Sequence, residues 1–188
     1  MLKREENAIV LDFLPFGRSS AAKREPLAQI LGDTYFTLLD VLVKPGVTLS
    51  PSERVYIGKD ERDKIDYIKG RITYNDLTSA AQRQAELEIR NLVSVREQEF
   101  VTFLNRAGPL SIRSHSLELL PTIGKKHLEA LLKAREEKLF TSFEDVKARA
   151  PGLGRPDELF VSRIVSELKG EEKYYLFTKP PARDRDGF

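Results

Sequence analysis

Cysteine and tryptophan are both absent from this chain of 188 residues, methionine occurs once and histidine twice. Without thiols there is no disulfide scaffold, no thiolate zinc site and no cysteine nucleophile. Two histidines, His115 and His127, are too few for a histidine-rich metal centre. No apolar run approaches the roughly 18 residues that a membrane span needs. The start Met1-Leu2-Lys3-Arg4-Glu5-Glu6 also lacks a signal peptide's apolar segment, so a cytoplasmic protein is expected. A strong excess of one charge is missing too: the net charge is +2, which does not by itself announce nucleic acid. There is no glycine loop ending in Gly-Lys-Ser/Thr and no dinucleotide fingerprint.

What is present is an ordinary balance for a soluble chain, 40% hydrophobic and 32% charged, long enough for one large domain or two small ones. The hydrophobic pattern changes period along it. From Asn7 to about Tyr74 short runs read as strands: Ala8–Leu14, Tyr35–Val43, Arg54–Ile57 and Ile65–Ile68, with Arg71–Tyr74 continuing past Gly70 as a bend or bulge. Pro15, Gly17 and Pro45-Gly46 stop the first two. Four or five antiparallel strands in so short a stretch suit a small barrel of the oligonucleotide-binding type, and Lys173–Thr178 could be a last strand that returns after the helices to pair with it.

After Asn75-Asp76 the period becomes helical. Ala85, Ile89, Leu92, Val93, Phe100, Phe103 and Leu104 fall on one face of a long stretch, broken near Ser94 and ended by Gly108-Pro109. The expected organisation is α+β: a small barrel over residues 1–76, a connecting helical segment over 77–110, a helical domain over 111–170, the returning strand over 171–178 and a solvated tail over 179–188.

Within the helical domain one turn is written twice. Leu120-Pro121-Thr122-Ile123-Gly124-Lys125-Lys126 and Pro151-Gly152-Leu153-Gly154-Arg155 each precede an amphipathic helix. A glycine-closed hairpin leaves amides unpaired at the start of its second helix, beside the positive end of the helix dipole, where a phosphate can bind. Ser116–Leu120 fits a short first helix, Lys126–Glu137 the second, and Ser142 with Asp145 has helix-start spacing. Ser116 reads as a helix cap.

This pattern, from Ser116 to about Gly170, resembles the tandem helix-hairpin-helix modules of DNA repair, recombination and uptake proteins, whose first hairpin commonly reads Leu-Pro-Gly-Ile-Gly-Lys. The resemblance implies sugar-phosphate binding by Thr122, Ile123, Gly124, Lys125 and Lys126, and by Gly152, Gly154 and Arg155. In related hairpins a monovalent cation can sit on the turn's carbonyls; no other cofactor is implied. Two departures stand out. Thr122 replaces the leading glycine, and Asp157 places a negative charge beside the second turn, so the first turn is the stronger phosphate contact. The order of parts, with Pro15-Phe16-Gly17 just after the first strand, also resembles a family of small archaeal proteins of unassigned function predicted to bind RNA.

The loop after the first strand adds Arg18, Lys23 and Arg24 beside Phe16, the pairing of charge and ring that a single strand needs. Its alternative is a solvated loop. No nucleophile motif surrounds Ser114-His115-Ser116, and acidic pairs such as Glu136-Glu137 lack metal-ligand spacing. The expected function is therefore non-catalytic binding of RNA or DNA through the backbone. The rival is an adaptor docking on a ribosomal or repair assembly through the barrel face or the Phe100–Leu104 helix.

Overall fold

Aliphatic residues dominate the first half of the chain, and they pair as strands. The computed structural model describes residues 4–19 and 24–180. Over these the fold is mixed α+β, with a five-stranded antiparallel sheet and five α-helices. The strands are β1 (Asn7–Leu14), β2 (Leu27–Gly32), β3 (Leu38–Val43), β4 (Arg54–Tyr56) and β5 (Ile65–Arg71), in the order β4-β1-β2-β3-β5. Among the described residues β4 and β5 do not pair, so the sheet is open where a closed barrel was expected.

One side of the sheet gathers Val10, Ala28, Ile30, Val41, Val55 and Ile65 into a dry core. The other side carries a polar ladder: Asp12 lies opposite Gln29, and Gln29 opposite Asp40. This ladder seats the start of helix α1 (Ser79–Val95). Gln29 accepts the Thr78 amide at 2.8 Å, Asp12 accepts the Thr78 hydroxyl at 2.6 Å, and that hydroxyl in turn accepts the Ala81 amide.

Three expectations change. Strand β2 has no counterpart in the sequence reading, because it is buried along its whole length and so shows no polar alternation. Strand β3 starts at Leu38, not Tyr35, since the residues before it form a turn: Phe36 has φ of +54°, and the buried Glu5 carboxylate accepts the amides of Thr34, Tyr35 and Thr37. No strand forms over Lys173–Thr178. There the amides of Leu176, Phe177 and Thr178 all converge on the buried Glu167 carboxylate, which leaves none of the three for a sheet ladder. Gly70 does mark a bulge: it has φ of +154°, and the β3–β5 register shifts beside its partner Asp40.

The chain divides into two compact units, one of residues up to Glu88 together with those from Ser166, the other Ile89–Val165. In the second, α2 (Glu97–Arg106) follows α1 across a break at Arg96. A short arm, β6 (Pro109–Ser111) with β7 (Ser114–His115), precedes a 3-10 turn at Ser116–Leu119. Helices α3 (Lys125–Glu137), α4 (Phe143–Arg149) and α5 (Pro156–Lys169) complete the α-helices of the described residues. Phe160 centres the second unit's core, with ring centroids of Phe100, Phe143 and Phe103 at 4.9, 5.8 and 6.1 Å. Phe100, Val101 and Leu104 of α2 are buried here.

Candidate nucleic-acid interface

Gly124 caps α3, and a glycine has no side chain with which to satisfy the helix's first amides. The first intrahelical bond runs from the Leu128 amide to the Gly124 carbonyl at 2.9 Å. The amides of Lys125, Lys126 and His127 therefore have no partner among the described residues, and the first turn of α3 carries no acidic residue. Lys125 and Lys126 are both exposed.

The turn before the cap is held from within. Ile123 is buried, its amide bonded to the Leu120 carbonyl, and the Gly124 amide bonds to the Thr122 carbonyl at 3.2 Å. Of the five residues expected to hold phosphate here, Ile123 and Gly124 thus spend their amides on the turn, and the free donors lie at Lys125, Lys126 and His127. Histidine's amide escaped sequence reasoning because the register of a cap is fixed by backbone geometry, not by residue type. The His127 ring also lies 2.9 Å by Nδ1 from the Thr122 carbonyl, and a Cβ placed on Gly152 would come within 3.4 Å of its Nε2. One imidazole therefore stands between the two turns. Thr122 has φ of +64°, the left-handed value that a glycine would take at no cost.

The second turn is lined with acids. Gly152 and Gly154 supply φ of +96° and +71°. Pro156 opens α5 without an amide hydrogen, and Asp157 and Glu158 occupy its first turn. Arg155 is drawn onto these acids, 2.5 Å from Asp157 and 3.7 Å from Glu158, and Arg90 lies 2.8 Å from Glu158. The hydrogen bond from Arg90 holds the Glu158 carboxyl below its usual range. A phosphate entering here would have to displace charges already paired.

On the sheet unit, Arg18 binds Asp40 at 2.8 Å and the Asp76 carbonyl at 3.0 Å, so its guanidinium ties the β1–β2 loop to the polar ladder. Arg24 is exposed, as is Phe16 at 72%. Lys23 lies outside the described residues, as does the tail from residue 181. Ser116 is not the helix cap: its hydroxyl donates to the Gly108 carbonyl at 2.7 Å. His115 takes that role, Nδ1 accepting the Leu117 amide at 3.1 Å. Burial, with the Arg135 charge, pushes this imidazole below its ordinary value against the opposing pull of Glu118, which keeps Nδ1 free to accept.

These features define a small α+β protein with one glycine-capped turn of unpaired amides, flanked by two lysines. The chain belongs to the family described as protein of unknown function DUF655, whose model matches residues 4–179. It is similar to an uncharacterised protein of Methanocaldococcus jannaschii, 41% identical over 180 residues that span 94% of this chain and 81% of that one. It is also similar to Af1531 of Archaeoglobus fulgidus, a member of the same family with a crystal structure: 43% identity, TM-score 0.85, covering 93% of this chain and all of that one. No helix among the described residues is long and apolar enough to cross a membrane.

Proposed function

We propose that this protein is a non-catalytic nucleic-acid-binding protein that grips the sugar-phosphate backbone of RNA or DNA at the Thr122–Lys126 turn. The observation that carries the reading is the start of α3: three consecutive unpaired amides, a cap without a side chain, and two exposed lysines with no acid in the same turn. Amides at a helix start attract a phosphate by hydrogen bonding and by the helix dipole, and two nearby ammonium groups add charge without demanding a base sequence. The repeat of the turn and its helix-hairpin-helix wording support the same reading, with the second turn contributing shape to the domain more than phosphate contact. A monovalent cation on the Thr122 carbonyl would compete with His127 Nδ1 for that oxygen.

The test is fluorescence anisotropy of labelled single-stranded RNA, single-stranded DNA and duplex DNA, comparing wild type with Lys125→Glu, Lys126→Glu. Both positions are exposed, so the variant should fold normally. Expected is salt-sensitive binding that the variant weakens at least tenfold, about 1.4 kcal/mol or more. Unchanged binding in the folded variant would overturn the reading. A second reading, a protein adaptor, is favoured by the β6–β7 arm, where Ile112 is fully exposed and Leu110 is 46% exposed. It predicts stable co-purification with a protein after nuclease treatment.

A further inference from the structure

The open edge of the sheet holds a cavity of about 910 Å³, bounded by the end of β4, the loop after it, β3 and β5. Its volume lies within the range of about 300–1,000 Å³ found for ligand sites. Leu39, Ile57 and Ile68 supply an apolar floor, two of them buried in the sheet core and Ile68 packed against it. Arg4, Lys59, Arg62, Arg71 and Lys179 stand around that floor.

Three carboxylates, Glu5, Glu6 and Asp60, share the lining with these five cations, which outnumber them. Glu5 is buried and spends its oxygens on the Thr34, Tyr35 and Thr37 amides. Asp60 accepts the Tyr56 hydroxyl at 3.2 Å. Two of the cations are held in place by backbone: Arg62 Nε donates to the Gly58 carbonyl at 2.9 Å, and Arg71 donates to the Pro180 carbonyl at 2.8 Å. A guanidinium has five N–H donors in a fixed fork, so Arg62, held by one bond, and Arg71, held by two through one nitrogen to the Lys179 and Pro180 carbonyls, each keep donors for a ligand. An apolar floor inside a positive rim suits a molecule with flat rings and repeated phosphates. A duplex hides its ring faces, whereas an unpaired strand can lay them on the floor while its backbone follows the rim.

We propose that this cavity binds a short segment of single-stranded nucleic acid, bases against Leu39, Ile57 and Ile68, phosphates on Arg62, Arg71 and their neighbours. The choice of polymer rests on the nucleic-acid reading above; the site shares no residue with the α3 turn. The test uses the full chain and a short labelled oligouridylate, with uridine monophosphate as competitor. The variants are Arg4→Glu, Lys59→Glu, which breaks no internal bond described here, and Lys125→Glu, Lys126→Glu.

Binding of the short strand should fall about tenfold or more in the cavity variant and hold within a few-fold in the turn variant. Methyl resonances of Leu39, Ile57 and Ile68 should shift on addition of the strand. Loss in the turn variant alone would overturn the cavity proposal and leave the turn reading standing; loss in the cavity variant, with or without loss in the turn variant, would support the cavity proposal, while the turn reading is decided by the duplex and longer single-stranded probes. Absence of methyl shifts, or equal competition by the mononucleotide, would also overturn it, the latter pointing to a free nucleotide as the occupant.

Discussion

Thr122 is held at φ of +64°, where a β-branched side chain crowds its own backbone. Such strain costs of the order of 1–3 kcal/mol and persists only where the surroundings over-determine the conformation. Here the Thr122 carbonyl accepts the Gly124 amide and meets His127 Nδ1, so the carbonyl's direction is fixed whatever the side chain prefers. Thr122→Gly keeps both contacts and removes the crowding, at the cost of a more flexible unfolded chain. The expected result is a gain of about 1 kcal/mol, read as a raised denaturation midpoint, with nucleic-acid affinity maintained or increased. A lower midpoint would show that the turn does not strain this threonine.

Helices α3 and α5 begin with nearly the same turn and differ in what their first residues do. Glycine caps α3 and leaves its amides open, whereas Pro156, Asp157 and Glu158 close α5. Replacing those acids by Asp157→Asn and Glu158→Gln removes the charges paired with Arg155, next to Gly154. The double variant should bind nucleic acid more tightly than wild type at low salt, with the gain vanishing as salt rises, checked by anisotropy titrations. Affinity equal to wild type would mean that Pro156 alone closes the turn. This contrast was legible in the sequence, because proline and acids at a helix start act locally. So were β1, β4, the Gly70 bulge and the Ser142 cap, each set by near neighbours. Strand β2 was not, since burial on both faces erases alternation. The Glu167 clamp and the Arg18–Asp40 pair also escaped, because each depends on residues brought together only by the finished fold. At the candidate site the lysines were readable and the amide register was not.

A net charge of +2 spread over 188 residues gives this molecule little long-range attraction for a polyanion. If it binds nucleic acid, affinity must come from a few local contacts, and salt dependence counts them. For a single strand each neutralised phosphate contributes a slope of about −0.7 in log affinity against log salt. The two lysines beside the α3 amides are the densest exposed positive charge at that turn, so they should account for much of the slope. Neutralising them with Lys125→Ala, Lys126→Ala should make the slope shallower by about 1.4 while leaving thermal stability close to wild type. An unchanged slope with weakened binding would mean that the lysines shape the turn without meeting phosphate. An unchanged slope with unchanged binding would move the contact away from α3 altogether. Because the total field is so weak, a change of that size cannot arise from altered net charge acting at a distance, since exposed charges are screened within about 8 Å at physiological salt. The slope thus reports where the phosphates lie on the molecule, which affinity alone does not.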